Sequence, residues 1–128
     1  MAVDVSKQMD AILTQFNKGV KDTTNKAIAS VSKESVQKLK NTSPRRTGDY
    51  AKSWRVKKQK NGNGIEGAIV HNKDHYRLTH LLENGHVIRN KKGTYGRTRG
   101  IKHIAPVEEW ANGELVETIE RSIERGNL

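Results

Sequence analysis

Three observations in this 128-residue sequence predict an α+β domain, with helices arranged around a small antiparallel hairpin. Apolar residues recur at steps of three and four through the first forty positions, which is helical spacing. Asn61-Gly62-Asn63-Gly64 separates two short segments of strand character, a strong hairpin signal. A second helical pattern closes the chain after Pro106. At this length a single domain over residues 1–128 buries about two-thirds of its unfolded-chain surface.

The first element is a long helix spanning residues 1–40, its apolar pattern running from residue 4. Val5, Met9, Ile12, Leu13, Phe16, Val20, Ala27, Ile28, Val31 and Leu39 form the stripe, with Lys and polar residues between them. Fully helical, it would extend roughly 55 Å, longer than a domain of this size is wide. Gly19 and the polar patch Lys21–Asn25 therefore mark an expected bend or break. The ordinary reading of such a stripe is one core-facing surface; the alternative has its N-terminal half project and pack on another subunit. Asn41-Thr42-Ser43-Pro44 ends the helix, because the residue before a proline is pushed out of helical geometry.

A short helical turn over about Gly48–Ser53 leads into a strand at Trp54–Lys57, where Trp54 and Val56 alternate with charged neighbours. Ile65–Val70 is the return strand. A short central helix follows, with Tyr76, Leu78, Leu81 and Leu82 on one face, and Gly85 supplies the backbone that ends it. Residues 86–102 then read as a flexible basic loop without secondary structure. It carries Arg89, Lys91, Lys92, Arg97, Arg99 and Lys102 and no acid, with Gly93, Gly96 and Gly100 for pliability and Tyr95 as its one large aromatic. So long a connection in a small domain implies that the loop engages a partner. In the closing helix, opened by Pro106, Val107, Trp110, Leu115, Ile119 and Ile123 make the apolar stripe. Glu108 and Glu109 are expected in its first turn, where the helix dipole favours acids.

Composition bounds the chemistry. Hydrophobic residues make up 33% and charged residues 30%, a lean core that points to stability gained by assembly. The absence of cysteine excludes disulfides, thiolate metal sites and thiol catalysis. No apolar run approaches the ~20 residues of a membrane span, and MAVDVSKQMD lacks a signal-peptide core, so an intracellular, soluble protein is expected. The net charge of +10 is unevenly spread. Residues 1–60 carry 14 basic and 5 acidic side chains, residues 61–105 carry 8 and 3, and residues 106–128 carry 2 and 6. A basic body with an acidic end suits nucleic-acid contact, and equally suits copies associating head to tail.

Gly62, Gly64 and Gly67 match the spacing of the dinucleotide-binding fingerprint, but strand-like residues follow where a helix must hold the pyrophosphate, so the match is rejected. His71 and His75 have ligand spacing, yet Asn72-Lys73-Asp74 reads as a turn and no acid cluster completes a site; no metal and no cofactor is assigned. His80 or His86 with Glu83 could in principle do acid–base work, but a nuclease needs more acids or a nucleophile, so no catalytic residue is assigned. The basic loop could grip phosphates with Trp54, Tyr50 or Tyr95 stacking on bases, although no basic–aromatic interleaving repeats.

The order of the remaining motifs carries a resemblance. Ser-Pro-Arg-Arg-Thr-Gly-Asp-Tyr-Ala-Lys-Ser-Trp (Ser43–Trp54) is followed by Tyr-Arg-Leu-Thr-His-Leu-Leu-Glu-Asn-Gly-His (Tyr76–His86). A variable basic loop and His-Ile-Ala-Pro (His103–Pro106) then precede a terminal helix. From about Leu39 to Ile119 this resembles the head–tail joining, or tail-completion, proteins of long-tailed bacteriophages, which are minor tail or neck components. Thr47-Gly48, Glu83-Asn84-Gly85 and Pro106 stand at the matching places, with Asn84 where that family often has a hydrophobic or aromatic residue.

The resemblance implies a small antiparallel sheet with helices packed on it, in a non-enzymatic virion protein assembled in the host cytoplasm. Copies would form a ring at the neck between the capsid portal, with its connector and head-closure proteins, and the tail tube, around the path of the DNA. Partner contact is expected from Arg89, Lys91, Lys92, Arg97, Arg99 and Lys102, and from Glu108, Glu109 and Glu117 of the last helix. A basic nucleic-acid-binding module is the alternative, and a small histidine-dependent nuclease a weaker one.

Overall fold

Helix α1 runs without interruption from Val5 to Thr42 in the computed structural model, which describes residues 5–126. No break occurs at Gly19 or Lys21–Asn25. A single glycine costs a helix only about 1 kcal/mol, and tertiary support at this point offsets it. That support comes from the Asn25 side chain, which donates to the Gly64 carbonyl (2.9 Å) and accepts from the Glu66 amide (2.8 Å), tying mid-helix to the hairpin turn. Residues 1–4 and the Val5 side chain, both part of the expected helix, lie outside the described residues.

After the turn at Pro44 come α2 (Asp49–Lys52), β1 (Trp54–Lys60) and β2 (Glu66–Asn72). The two strands pair antiparallel from Trp54↔Asn72 to Lys60↔Glu66, so the hairpin signal at residues 61–64 is confirmed. A 3₁₀ turn (Tyr76–Leu78) continues into α3 (Thr79–Asn84). Tyr76 and Leu78 are exposed, so only Leu81 and Leu82 of the expected apolar face turn partly inward.

Secondary structure replaces the expected structureless loop. Val87–Asn90 (β3) and Gly93–Arg97 (β4) form a second antiparallel hairpin, with an irregular register between Val87 and Arg89. The glycines read as pliability are what permit it: Gly93 (φ 138°) and Gly96 (φ 114°) adopt backbone angles that other residues avoid. Helix α4 spans Ile104–Glu124 and passes through Asn112-Gly113 unbroken.

The buried cluster consists of Val36, Leu39, Tyr50, Trp54 and Val107, with Val70, Leu82 and Ile104 packed against it. It sits where α1, the start of the first hairpin and the start of α4 meet. The α1 stripe is therefore not one core-facing surface. Its C-terminal part (Ala27, Val31, Val36, Leu39) is buried, whereas Met9, Ile12, Leu13 and Phe16 are 59, 65, 52 and 53% exposed.

Candidate partner interface

The second hairpin is held at its base by a close backbone crossing. Gly85 (φ 78°, ψ 169°) ends α3 in a conformation essentially restricted to glycine. A Cβ there would lie 2.3 Å from the Thr98 carbonyl oxygen, and one on Gly100 would lie 2.6 Å from the Glu83 carbonyl oxygen. With both Cβ atoms absent, the two arms touch and exchange hydrogen bonds: Thr98 N–H to His86 C=O (2.7 Å) and Ile101 N–H to Leu82 C=O (2.8 Å).

Beside the crossing, Glu83 fixes the start of α4. Its carboxylate accepts from the backbone amides of His103 (2.5 Å), Ile104 (3.0 Å) and Ala105 (2.8 Å). Those are the amides that a helix start leaves without intrahelical partners, and the next residue, Pro106, has none to offer. A carboxylate from another element thus caps α4, at the end where the helix dipole favours negative charge. Glu108 and Glu109, expected in the first turn, lie in the second because the helix begins at Ile104.

His103, 1% exposed, completes the joint. Its Nδ1 lies 2.7 Å from the Ile101 carbonyl oxygen and 3.2 Å from Glu83 Oε1. On the other side of the ring, Nε2 pairs with the Tyr50 hydroxyl at 2.8 Å. Tyr50 and Trp54 meet edge to face at 5.7 Å, and Tyr50 and His103 at 5.6 Å. Burial would raise the Glu83 pKa, but the three backbone donors, together with His103, outweigh it and hold the carboxyl below its ordinary value. Burial and the nearby Glu83 charge push the Tyr50 hydroxyl up to about 12.

The His80–Glu83–His86 constellation is not assembled. His80 is exposed, the His86 ring pairs with Thr98 Oγ1 (2.9 Å), and the Glu83 carboxylate turns to α4. Sequence reasoning missed that Tyr50, Glu83 and His103 form one buried unit. The signal was the pair of short motifs, Glu-Asn-Gly and His-Ile-Ala-Pro, which read as punctuation but are the two halves of a joint.

The expected contact residues fall on two surfaces. Arg89 lies in β3, Lys91 and Lys92 form the tip of the second hairpin, Arg97 ends β4, and Arg99 and Lys102 lie on the return to α4; all six are exposed. Lys102 and Arg97 reach back to Asn84, at its side-chain oxygen (2.5 Å) and its backbone carbonyl (3.4 Å). Among the described residues none of the six is ion-paired, leaving one basic projection. Glu108, Glu109 and Glu117 are exposed on α4. No group of His, Asp or Glu able to hold a metal ion occurs among the described residues, and no helix of the described residues is long and apolar enough to cross a membrane.

Against known families, residues 4–85 match the family described as "Bacteriophage HK97-gp10, putative tail-component". No curated protein and no solved structure matches the chain.

Proposed function

The chain belongs to the Bacteriophage HK97-gp10 family of phage tail components, and on that premise we propose that it is a non-enzymatic subunit of the head–tail interface. In this reading, copies assemble into a ring that joins the portal and its connector proteins to the tail tube. The observation that carries it is the projecting N-terminal half of α1. Met9, Ile12, Leu13 and Phe16 recur at steps of three, one and three and line one helix face that the other described residues leave exposed. Contiguous exposed apolar surface of this kind marks a protein that functions bound to others. The purified chain is then a monomer or weak oligomer, and ordered assembly belongs to the particle.

The test is the double substitution Ile12→Asp with Phe16→Asp. Both side chains are already exposed, so unfolding stability should stay within about 0.5 kcal/mol of the unaltered chain. Incorporation into virions should fall below detection. Full incorporation of a folded double variant would contradict the reading.

The basic hairpin is the second contact, with an acidic surface of an adjoining protein as its counterpart. It projects from the glycine crossing as a formed two-stranded hairpin, so its exposed cations are presented to that partner without prior folding. Arg97→Glu with Arg99→Glu should change stability by less than about 1 kcal/mol, because exposed charges contribute little. Joining of heads to tails should drop sharply in a complementation assay. Normal joining would remove these charges from the contact. Duplex DNA in the channel is the competing counterpart, and retention of DNA by the free chain that weakens steeply with salt would favour it.

A further inference from the structure

We propose that the groove between α1 and the β1–β2 hairpin receives the outer face of α4 from a second copy, so that copies join head to tail. The inference rests on the ring reading above and names its interface.

The groove encloses about 360 Å³. Ile28, Val36 and Val56 give it an apolar lining around Trp54, and Lys33, Lys40, Arg55 and Lys58 surround it. Glu66 is its one acid, and no residue of α4 contributes.

Helix α4 presents the complement. Glu109, Gly113, Val116, Glu117, Glu120, Ile123 and Glu124 follow one another at steps of one, three and four, within a third of the helix circumference. The arc is exposed throughout, holds four acids and no base, and includes Val116 and Ile123 at 55 and 46% exposed. Arg121 lies off the arc, paired with Glu114 at 3.4 Å.

Gly113 adds an independent observation. It weakens the helix it sits in, yet a Cβ there would meet nothing within 4 Å inside the subunit. Close approach of another chain's backbone accounts for a glycine that the subunit's own packing does not require. The basic hairpin offers α4 the same charge, but on a two-stranded projection; the groove offers it around a recess able to take Val116 and Ile123.

Because groove and helix face are different patches, each copy uses one of each. Such contacts run head to tail and close into a ring when the rotation per copy divides a full turn.

The experiment measures self-association of the full chain by sedimentation equilibrium at low salt. One variant reverses the groove (Lys33→Glu, Lys58→Glu), another the helix (Glu117→Lys, Glu120→Lys), and a third, Gly113→Leu, leaves every charge in place. Each should raise the dissociation constant at least tenfold, and circular dichroism should report an unchanged fold. An equimolar mixture of the two charge variants should recover the original affinity, because each reversed patch meets its complement. Association by the variants as tight as the unaltered chain, a mixture that fails to recover, or an unaltered chain monomeric at its highest soluble concentration overturns the proposal. Electron microscopy of assembled necks separates this failure from the broader one. Rings that persist with all three variants leave the ring reading standing without this interface, whereas necks lacking a ring of the unaltered chain remove both.

Discussion

Replacing Glu83 by Ala should destabilise the fold by about 3–5 kcal/mol, the range for removing one partner from a buried charged network. The domain's total stability is about 5–15 kcal/mol, so this is a large fraction of it. The loss has a specific origin: three backbone amides at the start of α4 lose their common acceptor, and the buried His103 ring loses the carboxylate 3.2 Å from its Nδ1. Glu83→Gln, which keeps the shape and one acceptor oxygen, should cost about 1–2 kcal/mol. Urea unfolding followed by Trp fluorescence gives both values, since Trp54 lies against Tyr50 in the same joint. The dependence on pH follows from the lowered Glu83 pKa. A group ionised more readily in the folded than in the unfolded state adds stability above its unfolded pKa, and that stability disappears as pH falls through the folded value. The unaltered chain should therefore lose stability on the acid side, and Glu83→Gln should flatten that slope. An Ala variant that loses less than about 1 kcal/mol would show that the carboxylate does not hold the helix.

Gly85→Ala should be nearly as severe, through the backbone. The residue sits at φ 78°, ψ 169°, where a side chain alone costs about 1–3 kcal/mol, and its new Cβ would stand 2.3 Å from the Thr98 carbonyl oxygen. The crossing must open, and with it go the hydrogen bonds from Thr98 to His86 and from Ile101 to Leu82. We expect a loss of about 3 kcal/mol or more and deprotection of the Thr98 and Ile101 amides in hydrogen exchange. Gly93→Ala tests the alternative that glycine matters only for flexibility. Its Cβ would meet nothing within 4 Å, so it should leave those two amides protected. Equal deprotection in both variants would contradict the crossing as the cause.

What the sequence made legible is what depends on neighbours along the chain. Spacing located the long first helix, turn chemistry located the hairpin at Asn61–Gly64, and Gly85 marked the end of the central helix. What it hid depends on residues distant in sequence. Glu83 caps a helix that begins twenty-one positions later, and Asn25 supports the first helix through Gly64 and Glu66, so neither the cap nor the unbroken helix could be read locally. The second hairpin was hidden for another reason: glycines that usually signal a loose loop here occupy the positive-φ positions of paired strands. The apolar stripe of the first helix was visible, but burial of only its second half is set by where the hairpin turn and the end of α4 reach along it. The cationic residues of the second hairpin and the acids of α4 were legible as two charge blocks. That both are exposed, on separate elements, is what the fold adds.

The most direct measurement of the central claim is electron microscopy of intact virions in which the chain carries a compact tag at its C-terminus. The account predicts one closed ring of copies at the head–tail junction, bounded by the portal side above and the tail tube below. Density for the chain elsewhere in the particle, its absence from virions, or an isolated dimer persisting at the junction would contradict it.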